Sequence, residues 1–360
     1  MSQAEAEPTS PRAPGARFLA EIHEQPAALE RLLAHEDEIA RAAALAVERD
    51  AKLVRLVGHG SSDNAASFGI YAFGLLPRWT AMRDAITLTV HYETPLDMRG
   101  STVIGLSQSG LTPDVVEYVA RARAEGALTI AVTNDPGSEL AATADVVIPL
   151  CAEPELAVAA TKTYVNTLAV LALLAGHVAG RGAEISAGIR DASARLSEVL
   201  PALERTAAGI ALPFAYTGRM FVIGRGVEFA TAREIALKLL ETCRVAAEPL
   251  TATDLAHGPV AALDPLFPVW AIASPDASLA PVQEAASRAR AMGATLVASG
   301  TAAAELEGAS YCLPVPAPTP QLLSPLLSVV PGQLFAWALS LARGLDPDAP
   351  HGLAKVTLAR

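Results

Sequence analysis

Three hydroxyls, an amide and a glycine fall within six residues of this chain, Ser107-Gln108-Ser109-Gly110-Leu111-Thr112, and Pro113 follows at once. Such a set suits an anion, phosphate above all. Ser107, Ser109 and Thr112 offer hydroxyl protons, Gln108 offers an amide proton, and Gly110 lets the backbone come close. Pro113 fits the first turn of a helix, where its missing N–H costs nothing. A strand that runs into a helix N-terminus presents free N–H groups and the positive end of a dipole. The same residues would also make an ordinary strand-to-helix loop with capping hydroxyls. Three other places carry acid–base groups. Lys238 and Glu241 stand three apart and share a helix face, the commoner meaning of which is a solvent-exposed ion pair. His257 precedes Gly258-Pro259, where a loop histidine is ordinarily structural or exposed. Lys355 lies in Pro350 to Thr357, which would also serve as an end strand.

Strands and helices must bring these groups together. Val103 to Leu106 reads as a buried strand, and Val115, Val116, Val119 and Ala120 continue from Pro113 with helical spacing. Upstream, Leu53 to Val57 reads as a strand, and Gly58-His59-Gly60-Ser61-Ser62-Asp63-Asn64 as a glycine-rich turn into a helix near Ala65. Further strands are expected at Ile86 to His91, Gly126 to Asn134 and Ala144 to Leu150. Helices are expected over Arg17 to Glu48 and Glu155 to His177. This alternation predicts an α/β fold with a parallel, doubly wound sheet covered on both faces. In such sheets ligands sit beyond the carboxyl ends of the strands, where the strand order switches. The Gly60 and Ser107 turns both lie at such ends.

The pattern then recurs. Arg219 to Gly226 matches Leu53 to Gly60, and Val269 to Ser274 matches Val103 to Ser107. Gly293 to Val297 matches Gly126 to Ile130, and Ala309 to Val315 matches Ala144 to Leu150. Gly58 and Ser107 are 49 apart against 50 for Gly224 and Ser274, and the next interval is 19 in both halves. Order and spacing together imply a tandem duplication. Arg233 to Val245 reads as a helix of the second half. A last helix over Leu322 to Arg343 should kink at Pro331-Gly332. The second copy has Ser274-Pro275-Asp276 where the first has Ser107-Gln108-Ser109. Proline lacks an N–H and aspartate repels phosphate, so only the first copy should hold an anion.

The chain has 360 residues, 51% hydrophobic and 18% charged, with a net charge of −11. This length and composition suit two domains or two fused repeats with large cores. The acidic balance argues against general binding to nucleic acid or anionic membranes. Cys151, Cys243 and Cys312 have no metal-ligand spacing, which points to a reducing cytoplasm. No metal or cofactor is expected. Met1 to Ala16 lacks the apolar stretch of a signal peptide and reads as a disordered tail. The apolar run Leu168 to Ala175 is far shorter than the ~20 residues of a membrane span.

The chain resembles the double sugar-isomerase (SIS) domain family, in particular the isomerase half of glutamine–fructose-6-phosphate aminotransferase and its relatives. The resemblance rests on Glu21-Ile22-His23-Glu24-Gln25-Pro26, Gly60-Ser61-Ser62, Ser107-Gln108-Ser109-Gly110-x-Thr112 and Ala160-Thr161-Lys162. It continues with Ala236-Leu237-Lys238-x-x-Glu241, His257-Gly258-Pro259 and Leu353-Ala354-Lys355-Val356. It implies two tandem, doubly wound, flavodoxin-like domains: 17–182 with the phosphosugar site and 213–343 with the catalytic helix. A helical linker (183–212) would join them, and a tail (344–360) would reach the site. It further implies that Ser62, Ser107, Gln108, Ser109 and Thr112 hold a sugar phosphate, with Gly60, Ser61, Ala160 and Thr161 around it. Glu241 would move a proton between C1 and C2. His257 would assist ring opening from a second subunit of a homodimer. Lys355 would form an imine with the open-chain ketose, and Lys238 would sit beside Glu241.

Aldose–ketose interconversion needs one base that reaches both carbons and a separate group for ring opening; carboxylate and histidine suit these tasks. The chain departs from the aminotransferase pattern at Ala160, Ala256 and Glu248-Pro249-Leu250, and no glutaminase half is expected. The expected activity is therefore conversion of glucosamine 6-phosphate and water to fructose 6-phosphate and ammonia. The alternatives are a fructosamine-6-phosphate deglycase and a non-catalytic sugar-phosphate sensor.

Overall fold

A computed structural model describes residues 12–355. Most of the expected tail at 1–16, and 356–360 of the C-terminal tail, lie outside them. Helices α1 (Ala16–His23), α2 (Gln25–Leu33) and α3 (Glu36–Glu48) replace the single expected N-terminal helical run. The first repeat holds β1 (Leu53–Val57), α4 (Ser61–Leu75), β2 (Thr80–Arg83), α5 (Ile86–Val90), β3 (Ser101–Leu106) and α6 (Pro113–Ala124). It ends with β4 (Leu128–Thr133), α7 (Glu139–Thr143), β5 (Val146–Pro149) and α8 (Lys162–Val178). One 30-residue helix, α9 (Gly182–Ala211), leads to the second repeat. There follow β6 (Arg219–Gly224), α10 (Glu228–Cys243), β7 (Ala246–Thr251), β8 (Val269–Ile272), α11 (Leu279–Ala291), β9 (Leu296–Gly300) and β10 (Tyr311–Pro314). Helices α12 (Pro325–Ser328) and α13 (Val330–Ala342) close the chain.

Both sheets are parallel throughout. The first has the order β2-β1-β3-β4-β5 and the second β10-β9-β8-β6-β7, the same topology traced from the other edge. The two repeats expected from the sequence are thus two copies of one doubly wound unit. β3 and β4 are buried along their whole length, as parallel strands covered on both faces must be. The repeats share one core that runs from Phe18 through α8 and α9 to Leu339 of α13. Gln321–Ala342 is long and apolar enough by composition to cross a membrane, but 94% of it is buried in that core.

Four expectations are corrected. Ile86 to His91 is not a strand: the place beside β1 belongs to Thr80–Arg83, and Ile86, Thr89 and Val90 form the buried side of a short helix. The alternation of Ile86, Leu88 and Val90 mimics a strand, but spacings of three and four bury the right residues against Val115 and Val119. The helix expected from Glu155 begins only at Lys162, because Glu155 itself accepts from the N–H groups of Thr161 and Thr163 and so caps α8 from outside. β7 was not foreseen, because Pro249 argues against an inner strand; at the sheet edge a proline is tolerated. The last helix does not kink at Pro331. It breaks at Val329, and Pro331 lies in the first turn of α13, where it needs no partner.

Candidate active site

In the first sheet the chain passes from β1 outward to β2, and then from β3 outward through β4 to β5. The switch therefore lies between the carboxyl ends of β1 and β3, the place where such folds open a crevice. Two helices start there. α4 begins after Gly60, and α6 begins after Thr112. At neither helix does an N-cap side chain accept from the first-turn N–H groups, so both first turns keep N–H groups open to the crevice. Gly60 has φ 55° and Gly110 φ 64°, left-handed values that favour glycine. A Cβ on Gly110 would also collide with Ser138.

The crevice is a cavity of about 500 Å³ lined by His59, Gly60, Ser62, Leu106, Ser107, Gln108, Ser109, Thr112, Asp114, Glu155, Val158, Ala160 and Lys355. Its hydroxyls lie close together and bond locally: Ser107 Oγ and Thr112 Oγ1 are 2.9 Å apart, and Ser109 Oγ accepts from Leu111 N at 3.3 Å. A larger cleft of about 770 Å³ opens beside Cys151 at the β5 edge. The helix start beside it, that of α3, carries Glu36, Asp37 and Glu38, which repel an anion, and the cleft has no hydroxyl loop, so the chemistry selects the smaller cavity.

The acid–base groups reach this cavity through Ser61. Lys238 on α10 is fully buried and lies 2.6 Å from Glu241 Oε2 and 3.2 Å from Glu234 Oε1. Its Nζ donates to Ser61 Oγ at 3.2 Å, and Ser61 donates to Glu234 at 2.9 Å. Asn64 of α4 donates to the other oxygen of Glu234 at 2.9 Å. Arg233 clamps the same two helices through Asp63 at 2.7 Å. An exposed surface pair is thereby excluded for Lys238 and Glu241. Burial opposes the Lys238 charge, yet Glu234 and Glu241 together hold its pKa above the ordinary lysine range. Burial also raises the Glu234 carboxyl, with Lys238 and Asn64 pulling the other way. Glu241 keeps 21% of its side chain exposed, so its carboxylate is available from one side.

Of the residues marked in the sequence, Ser62, Ser107, Gln108, Ser109, Thr112, Gly60, Ala160 and Lys355 line one cavity. Ser61, between the lining residues Gly60 and Ser62, bonds Lys238, and Lys238 in turn pairs with Glu241; these three are not in the lining itself. Thr161 is fully buried and bonds Glu155 instead. His257 lies exposed on a 3-10 turn after β7, outside the cavity lining. The sequence reading did not mark His59, Asp114, Glu155 or Val158. The position of His59 between two turn glycines at a strand end was the available signal; Glu155 had none.

The second crevice is filled by the chain itself. Glu228 occupies the place in the turn that Ser62 has in the first copy, and it is fully buried. Its carboxylate accepts from Ser274 at 2.5 Å, Thr231 at 2.6 Å and Ser328 at 2.9 Å. Ser274 is the counterpart of Ser107, so an internal carboxylate stands where the first copy offers room for an anion.

Comparison with known proteins agrees with this geometry. The family described as SIS domain matches residues 49–176 and 214–343. Glutamine–fructose-6-phosphate aminotransferase of Gloeobacter violaceus is 37% identical over 358 residues, which cover 94% of this chain and 58% of that protein. The chain thus spans little more than half the length of the curated relatives it matches. The C-terminal domain of glucosamine-fructose-6-phosphate aminotransferase from Francisella tularensis superposes with a TM-score of 0.85 at 23% identity, covering 94% of this chain and 99% of that one. Glucosamine-6-phosphate deaminase from Thermotoga maritima gives 0.76 at 22% identity, covering 96% and 100%. At those identities the two structures speak for the fold.

Proposed function

The chain belongs to the SIS domain family, and from that premise we propose that it is an amino-sugar phosphate isomerase/deaminase that converts glucosamine 6-phosphate and water to fructose 6-phosphate and ammonia. One observation carries the reading: an anion cavity at the first switch point is bordered by Lys355 and backed, through Ser61, by the buried Lys238–Glu241 pair. The phosphate lies on the α4 and α6 N-termini and the hydroxyl loop. Glu241 takes a proton from C2 of the open-chain amino sugar and returns it to C1, giving the imine of the ketose. Lys355 exchanges with the C2 nitrogen, releasing ammonia, and water frees the ketose. Lys238 holds Glu241 in place through the 2.6 Å ion pair. A cytoplasmic location fits such a substrate.

The test is ammonia release by the purified protein over a panel of glucosamine 6-phosphate, its N-acetylated and galacto forms, and fructosamine 6-phosphates. Release from the first supports the proposal. Release of an amino acid from the last alone would make the protein a deglycase, and tight binding of fructose 6-phosphate without turnover would make it a sensor.

The loop sets affinity in this reading. Ser109→Ala and Thr112→Ala each remove a charge-assisted hydrogen bond worth roughly 1.5–3 kcal/mol. KM is expected to rise more than kcat falls; steady-state kinetics showing an unchanged KM in both variants would move the phosphate elsewhere.

His257, exposed here, supports a homodimer in which each subunit lends its histidine to the other's cavity. Mixing Glu241→Gln with His257→Ala protein, each nearly inactive alone, should then restore about a quarter of the wild-type rate, because half of the random dimers carry one intact site. No recovery after subunit exchange, verified by mixed-tag pull-down, would place His257 in its own subunit's chemistry or in none.

A further inference from the structure

Lys355 is held at the cavity by a carboxylate to which no role has yet been given. Glu155 is fully buried, and Lys355 Nζ lies 2.7 Å from its Oε2. The same oxygen accepts from Thr163 Oγ1 at 2.7 Å. Oε1 accepts from Thr161 N at 2.9 Å and Thr163 N at 3.1 Å, at the start of α8. The donors from α8 stay in place when the lysine leaves. Glu155 is therefore a built-in anion that stays solvated by protein, and Lys355 is its one removable partner among the described residues. Its carboxyl is held below the usual range despite burial, by Lys355 first and then by these donors.

Few other charges compete at this spot. Glu21 of α1 accepts from the backbone of Ala157, and burial, with Glu155 nearby, pushes its pKa up. His59 and Asp114 line the far side of the cavity, 3.6 Å from each other. Lys355 otherwise belongs to a short tail whose Asp348 accepts from Arg17 N and Phe18 N at the start of α1. The tail brings the lysine near; Glu155 fixes where its amine ends.

We infer that Glu155 is the residue that positions Lys355 and takes its proton when the amine attacks the sugar. This rests on the imine role proposed for Lys355. Docked, Lys355 is an ammonium and has no lone pair. Transfer of one proton to Glu155 Oε2 frees the pair, which attacks C2 of the ketose while the carbonyl π electrons move to oxygen. That oxygen takes the proton back from Glu155. Loss of water, with a second proton from nitrogen leaving on the departing oxygen, gives the protonated imine. Ammonium and ketone thus become iminium and water with no net proton change, and Glu155 ends as it began.

The experiment traps the imine. Protein and fructose 6-phosphate are mixed across a range of pH, reduced with borohydride, which delivers hydride to C2, and weighed by intact mass spectrometry. Wild type should gain one sugar phosphate adduct and Lys355→Ala none; equal trapping in both would overturn the imine reading itself. Glu155→Gln removes the anion, so the midpoint of trapping should move to lower pH by about one unit or more, with a smaller maximum. Thr163→Val acts in the opposite sense. It takes a competing hydrogen bond from Oε2 and leaves the charge, so the ammonium is held harder and the midpoint moves to higher pH. A residue that merely caps α8 would lower the melting temperature of the Gln variant and leave both midpoints alone. If the Gln variant does not fold, Thr163→Val decides. Unchanged midpoints with trapping intact would overturn the Glu155 proposal and spare the imine.

Discussion

Replacing Glu241 by Gln is expected to lower kcat by about 10²–10⁴-fold while KM stays near the wild-type value. Glutamine keeps the shape and leaves an oxygen to accept from Lys238, but it cannot take a proton from carbon. In the proposed reading the phosphate is held by the hydroxyl loop and helix starts of the other repeat, so affinity should not follow the rate. Steady-state kinetics with the variant decides between this and a merely structural pair, which would show a small loss of stability and no kinetic change. The geometry favours the first, because Lys238 is fully buried and a surface pair would leave it in water.

Lys238→Met should cost stability on a scale that no surface lysine would. The side chain is buried between Glu234 and Glu241, and its loss leaves a carboxylate in the protein interior without its cation. Breaking a buried pair in this way costs about 3–5 kcal/mol, or roughly a 10 °C fall in melting temperature. The penalty should depend on pH with a definite sign. Burial already raises the Glu234 pKa above its unfolded value, and without Lys238 it rises further. A carboxyl with a raised folded pKa binds its proton more readily when folded, so stability falls as pH rises through that value. The variant should therefore be closest to wild type in mild acid and furthest from it above neutrality. Adding Glu234→Gln should recover most of the loss, since the unpaired charge is then gone. Melting curves that show no loss, or a loss independent of pH, would mean that water reaches the pair.

These two residues also show where a sequence stops being informative. A lysine and a glutamate three apart look the same on an exposed face and on a buried one. What buries them is α4, whose Ser61 and Asn64 lie about 170 positions upstream, and no local pattern announces that contact. The duplication was legible because the inner parallel strands are apolar runs that recur in the same order at matching intervals. Edge strands obey weaker rules. Thr80–Arg83 is largely exposed and Ala246–Thr251 holds a proline, so both escaped notice. The hydroxyl loop that lines the cavity could be read from its side chains and Pro113. Glu155 could not, because its donors are backbone groups at the start of a helix whose beginning was itself misjudged. In the second copy Pro275 and Asp276 argued against an anion, but the residue that fills the crevice, Glu228, sits in the other turn.

The central claim is that one site joins a phosphate cradle in the first repeat to a proton-transferring carboxylate in the second. Solvent exchange tests this most directly, because it reads the proton and not the leaving amine. Fructose 6-phosphate incubated with the protein in deuterium oxide should acquire deuterium at C1, followed by NMR, and the Glu241→Gln variant should bind the sugar without exchanging it. Exchange at the wild-type rate in the variant, or none at all by a wild-type protein that binds the sugar, would contradict the account.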